Sequence, residues 1–156
     1  MLRTAALFLL LAGSTLGSDT ATAQAFSRGN ALVNQSAYAV NMERWNEAVN
    51  LANEALRSGE VMLDNLPALY NNLCIGLTGL RRFDDAIAAC DKALEMKPRE
   101  WTFYNNRANI YFYLGQFSRA LAEYYKAVTF NPANSILMSN IGLTLQYRKD
   151  RAEKSS

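Results

Sequence analysis

The chain contains no histidine, only two cysteines and only three prolines, and its charges nearly cancel, giving a formal net charge of +2. Each shortage excludes something. Without histidine there is no imidazole to act as general base or metal ligand. With two thiols and no C-x-x-C spacing, the usual zinc ligand sets cannot be assembled. A charge of +2 is too small for a surface that holds nucleic acid or an anionic membrane. Of the acids, Glu47, Asp84, Asp85 and Glu123 fall at helix starts or on solvated faces, and no nucleophile–base pair accompanies them. No enzyme, cofactor or metal is therefore expected. Gly29 and the pair Gly76 and Gly79 do not form a phosphate loop, and Asn34-Gln35-Ser36 is a glycosylation sequon in the middle of a helical pattern.

Long apolar runs are scarce too. The one clear run, Thr4 to Gly13, follows Met-Leu-Arg and precedes Ala21-Thr-Ala23-Gln-Ala25. It is shorter than the roughly 20 residues that span a bilayer. A basic start, a short apolar run and an A-x-A site describe a cleaved secretory leader. No cysteine follows for a lipid anchor and no twin arginine precedes. Residues 1–25 are thus expected to be removed after Ala25, with Ala23 as the alternative. The mature protein would be periplasmic or secreted, with no membrane insertion.

What the chain does have is a repeat. Shifting 67–98 by 34 residues onto 101–132 matches Tyr70 with Tyr104, Asn71-Asn72 with Asn105-Asn106, Leu80 with Leu114 and Phe83 with Phe117. It also matches Ala86 with Ala120, Ala88 with Ala122, Lys92 with Lys126, Ala93 with Ala127 and Pro98 with Pro132. That makes ten identities in 32 positions; ordinary composition gives roughly two. A fixed period of this size marks a repeat architecture. Trp45, Ala48, Ala55 and Leu56 align with Phe83, Ala86, Ala93 and Leu94 at a shift of 38, so an irregular first copy precedes. After Pro132, Met138, Ile141, Gly142 and Leu145 restart the first half of a further copy.

The period and the residues Tyr70, Leu73, Cys74, Leu77, Ala86, Cys90, Ala93 and Pro98, with Tyr104, Ala108, Tyr111, Ala120, Tyr124, Ala127 and Pro132, resemble the tetratricopeptide repeat (TPR) family. The resemblance implies an all-α fold, a short α-solenoid of about three helix-turn-helix hairpins closed by a C-terminal helix. The divisions expected are a degenerate first repeat at 26–62, a loop at 63–66, repeats at 67–100 and 101–134, a capping helix at 135–150 and a charged tail at 151–156. Asn46, Asp84 and Ser118 are expected as N-caps of the second helices, and Pro67 as the first residue of a helix. The aromatics Tyr70, Phe83, Tyr104, Tyr111, Phe117 and Tyr124 are read as core. Arg107 stands where the pattern has leucine, so its stem is expected to pack while its head pairs with an acid such as Glu123.

In this family the first helices line a concave groove. Carried over by position, the groove would show Asn71, Asn72, Ile75, Asn105, Asn106, Asn109, Phe112, Tyr113, Ser139, Asn140, Leu143 and Tyr147. Asparagine offers donor and acceptor together, which suits an extended peptide, and exposed aromatics supply contact area. The same asparagines at 72, 106 and 140 also suit bridges between neighbouring first helices. Some family members grip a C-terminal carboxylate with Lys and Arg in the groove; those residues are missing from the matching places here, so an uncharged, partly aromatic segment fits better. The functional expectation is a protein or peptide partner bound in the groove, the alternative a self-associating or envelope-assembly subunit; the oligomeric state is open. Cys74 and Cys90 lie on the two helices of one hairpin, either joined, as an oxidising compartment favours, or free in small buried slots.

Overall fold

The computed structural model describes residues 16–154. Among these the chain forms seven α-helices: α1 (Leu16–Asn41), α2 (Trp45–Ser58), α3 (Leu66–Gly79), α4 (Phe83–Met96), α5 (Trp101–Tyr113), α6 (Phe117–Phe130) and α7 (Ser135–Glu153). The pairs α1/α2, α3/α4 and α5/α6 are antiparallel hairpins, and each helix packs on the next in order. Among the odd-numbered helices α3 also touches both α1 and α5, and the three make the inner layer. Small residues stand at the crossings: Ala48, Cys74, Ala86, Cys90, Ala93, Ala108, Ala120 and Ala127 have no exposed surface. Helix α7 lays Leu137, Ile141 and Thr144 against the last hairpin and so closes the array.

The helix starts differ from expectation. Asn46, Asp84 and Ser118 are each the second residue of their helix, and no side chain caps α2, α4 or α6. The turns explain this. Glu43, Arg81 and Gly115 adopt positive φ, and the N–H groups of Glu43, Arg81 and Gly115 reach back to Val40, Thr78 and Phe112 O. The next residues, Arg44, Arg82 and Gln116, donate to Ala39, Leu77 and Tyr111 O and are themselves the N-cap positions of the following helices. One Schellman turn thus feeds directly into the next helix, placing Trp45, Phe83 and Phe117 at its first position. Side-chain caps occur elsewhere: Glu100 Oε1 accepts from Thr102 N and Asn134 Oδ1 from Leu137 N.

Three other boundaries shift. Helix α1 runs unbroken from Leu16, through the expected cleavage point after Ala25, because no glycine or proline interrupts Ser18–Arg28. The apolar run 4–13 of the expected leader lies outside the described residues. Residues Leu63–Asn65 form a 3₁₀ turn, while Leu66 already begins α3, with Pro67 in its first turn. Helix α7 extends to Glu153, taking in half of the expected tail.

Cys74 of α3 and Cys90 of α4 are joined as a disulfide, their Cα atoms 5.3 Å apart. Helix α1 meets the segment that follows α2 at close quarters: a methyl group at Gly29 would lie 2.1 Å from Glu60 O, a contact no side chain survives.

Candidate functional site

The inner layer carries a row of asparagines, and the structure divides them into two kinds. Asn72 is buried and donates to Ser36 Oγ (2.9 Å) and Val33 O (3.2 Å) of α1. It is a bridge, and its place in the expected groove is corrected: it lies about 100° around α3 from Asn71, turned toward Val33 and Ser36 of α1. Asn71 is the outward one. Its Oδ1 accepts from Asn106 Nδ2 at 2.8 Å. Asn106 Oδ1 accepts from Asn105 Nδ2 (3.4 Å), and Asn105 Oδ1 from Asn140 Nδ2 of α7 (2.9 Å). Asn105, Asn106 and Asn140 are half-buried and tie α3, α5 and α7 together.

Beside this row a cavity of about 340 Å³ opens on the inner layer near the turns. Ile75, Asn106, Asn109 and Tyr113, four of the residues assigned to the expected groove, line it together with Trp45, Thr78, Gly79, Arg81 and Phe83. These five were missed, and their origin says why: they come from helix ends and turns, which a repeat period assigns to no face. Phe83, expected in the core, is half-buried and stacks on Tyr113 with centroids 6.4 Å apart and planes at 19°. Trp45 lies over Gly79, where a methyl group would come within 2.3 Å of the indole ring. Arg81 sits over the Phe83 ring at 5.5 Å and is the one charge on the cavity wall. Asn109 is committed inward, its Oδ1 accepting from Tyr124 Oη at 2.6 Å. Burial pushes the Tyr124 phenol up to about 12, so it remains a donor at any ordinary pH.

Toward α7 the aromatic surface continues. Phe112 meets Tyr113, Phe117 and Tyr147 at centroid distances of 6.0, 5.7 and 5.2 Å. Phe112 is half-buried in this group, and Phe117, expected in the core, is half-buried on its rim. Tyr147, Leu143 and Ser139 are exposed along α7.

Arg107 does as expected and more. Its guanidinium donates to Glu123 Oε2 through Nε (3.1 Å) and Nη2 (2.8 Å), and Nη1 bonds Asp91 Oδ1 of α4. Burial opposes the charge, but Glu123 and Asp91 outweigh it and hold the group above its ordinary pKa. The residue is structural, pinning α5 to α4 and α6. No group of three or more potential metal ligands occurs among the described residues, and none of their helices is long and apolar enough to cross a membrane.

Residues 77–135, the end of α3 through the start of α7, match the tetratricopeptide repeat family model. This fold is a TPR array. Among proteins similar to it, the Hsp70-Hsp90 organizing protein of Triticum aestivum is 30% identical over 73 residues, 47% of this chain. The alignment spans 13% of that protein. The first TPR domain of human RPAP3 superposes with a TM-score of 0.72 at 16% identity, over 82% of this chain and 98% of that one. The first TPR of Spaghetti (RPAP3), solved bound to the HSP90 peptide SRMEEVD, gives 0.67 at 17% identity, over 77% and 94%. These TPR structures establish the likeness of fold.

Proposed function

We propose that this chain is an exported, non-enzymatic adaptor that holds an extended polypeptide segment on its inner layer, with one apolar side chain seated between Trp45 and Tyr113. The carrying observation is the cavity itself: two aromatic walls, an isoleucine, two asparagine amides and a single arginine. Such a lining suits an apolar anchor with a few polar contacts that fix its orientation. Tyr113 is 58% exposed, area that a partner would cover. Peptide binding by the RPAP3 domain lends support by likeness of fold. An adaptor rather than an enzyme is supported by a chain without histidine, with both thiols in a disulfide. Export is supported by the leader pattern of residues 1–25 and by that disulfide, which suits an oxidising compartment.

The test is photocrosslinking in the native host, with a benzoylphenylalanine at Tyr113 and, separately, at Glu95 on the exposed face of α4. A discrete adduct from position 113 alone, identified by mass spectrometry, is expected. Adducts to the chain itself, or none, would overturn the reading. Export is checked on the same material, where the mature chain should begin at Phe26; an intact leader would refute it.

A second reading, self-assembly, is favoured by one feature of α7. Met138, Gly142 and Leu145 occupy the places that Tyr104, Ala108 and Tyr111 hold in α5, but no partner helix covers them: Met138 and Leu145 are exposed, and a methyl group at Gly142 would meet nothing within 4 Å. A concentration-dependent oligomer dissolved by Leu145→Lys would support that reading.

A further inference from the structure

The aromatic walls of the cavity are one end of a longer ledge. Trp45, Phe83 and Tyr113 line the cavity itself. Phe83 stacks on Tyr113, Tyr113 meets Phe112, and Phe112 meets Tyr147 of α7. Tyr113 and Tyr147 each keep more than half of their surface exposed. The polar groups along this ledge are biased in one sense. The amide oxygens of Asn71, Asn106 and Asn109 already accept, from Asn106, Asn105 and Tyr124. The amide N–H₂ groups of Asn71 and Asn109 donate to nothing among the described residues. Nor does the Arg81 guanidinium find an acid or a carbonyl among them; it rests on the Phe83 ring alone. The Thr78 hydroxyl, whose proton goes to Cys74 O, is the one free acceptor set against these donors.

Such a surface suits a chain that brings carbonyls and apolar rings but few N–H groups. A chain with an N–H at every residue would press donors against donors, and a buried donor without a partner is costly. Proline has a carbonyl and no N–H. The C–H groups beside its nitrogen are electron-poor and match the electron-rich faces of aromatic rings. Runs of proline hold an extended polyproline II helix with no internal hydrogen bonds, so their carbonyls stay open and little entropy is lost on docking against aromatic rings. We propose that the segment held on the inner layer is proline-rich, its rings on the ledge from Trp45 to Tyr147 and its carbonyls toward Asn71, Asn109 and Arg81. The charge complementarity is partial but consistent: donor hydrogens face carbonyl oxygens, and ring C–H groups face ring faces. This rests on the reading of the inner layer as a polypeptide site and names the kind of segment it takes.

The probe is the peptide acetyl-Pro-Pro-Leu-Pro-Pro-Leu-Pro-Pro-amide, titrated into ¹⁵N-labelled protein beside a control in which alanine replaces every proline. Saturable shifts are expected at the Trp45 indole N–H and the Asn71 and Asn109 side-chain amides, with the alanine peptide at least about tenfold weaker. Tyr113→Ala and Arg81→Gln should each weaken the proline peptide by about tenfold. An unchanged urea midpoint confirms that each variant folds; should Tyr113→Ala move it, Arg81→Gln, which leaves the ledge intact, carries the test. Added sodium chloride should leave the affinity almost unchanged, since no full charge pair is formed. A steep loss with salt would assign Arg81 to a carboxylate and overturn the proposal. Equal affinity for the two peptides, or shifts indifferent to both variants, would overturn it while leaving the inner layer a polypeptide site. Binding of neither peptide would overturn it as well, and the crosslink at position 113 then decides the broader reading separately.

Discussion

In the first four helices neighbours meet across glycine, alanine and a disulfide, whereas α5, α6 and α7 add tyrosine, phenylalanine and arginine to the alanines at their crossings. Gly29 and Gly79 let α1 and Trp45 approach to contact, Asn72 is sealed against α1, and Cys74 is bonded to Cys90. In the later half the crossings are filled by Tyr111 and Tyr124, and the seam between α4, α5 and α6 is held by Arg107 between Asp91 and Glu123. Most buried side chains divide accordingly, one cluster spanning α1 to α4 with Ile110 and another spanning α5 to α7, with Ile87 touching both; a third, Ala93, Leu94 and Phe103, joins α4 to α5. One repeat period therefore tolerates two ways of filling the same geometry. It specifies where a small residue must stand and leaves open what fills the space around it.

The contrast can be broken first at the disulfide. The bond closes a loop of 16 residues, for which chain entropy gives about 3 kcal/mol. Cys74→Ala with Cys90→Ala should lower stability by about that amount, with amide exchange rising in α1–α4 more than in α5–α7. Uniform exchange across the chain would show that the halves unfold as one. Next comes the charged seam. Arg107→Leu restores the residue usual at this place in the repeat but strands Glu123, whose side chain is 20% exposed. A loss of about 1–2 kcal/mol is expected for the single change, and much less when Glu123→Leu is added, since replacing both partners of such a pair is close to neutral. Equal losses in single and double variants would refute this account.

The turns give a smaller effect. Arg81 and Glu43 hold positive φ where the third turn has Gly115. A left-handed residue with a Cβ is strained, so Arg81→Gly should raise stability by about 0.5–1 kcal/mol, read from the urea midpoint. A drop would mean that the contact of Arg81 with Phe83 outweighs the strain. The last effect is absent at neutral pH. Tyr124 is neutral when protonated, and burial raises its folded pKa to about 12, above the ordinary phenol value of 10.0. The folded state thus holds the proton more tightly, its contribution is complete below pH 10, and stability falls as pH rises from 10 to 12. Absorbance titration should show one phenol ionising last, and Tyr124→Phe should flatten that part of the stability curve.

The hairpins were legible in the sequence because Tyr70/Tyr104, Ala86/Ala120 and Pro98/Pro132 report the same packing slot twice. The inner layer was legible only to within one residue, since Asn71 and Asn72 carry identical side chains and differ solely in direction. The cavity was half legible: Ile75, Asn106, Asn109 and Tyr113 occupy positions that the family resemblance assigns to the groove, while Trp45, Arg81 and Phe83 enter from helix ends and turns. The N-cap expectation failed for a related reason. Asp84 and Ser118 are residues that cap well, but the left-handed turn residue delivers the chain to the helix one position earlier, and the aromatic takes the entry.

The asparagines of the inner layer pass their amides in one sense: Asn140 gives to Asn105, Asn105 to Asn106, and Asn106 to Asn71. Neither Asn105 nor Asn106 can turn over singly, because a reversed amide would set nitrogen against nitrogen on one side and oxygen against oxygen on the other. The four behave as a single toggle spanning three helices, with an amide N–H₂ at the Asn71 end and a carbonyl at the Asn140 end, so the inner layer has a built-in polarity that a strand laid along it would meet in only one favourable direction.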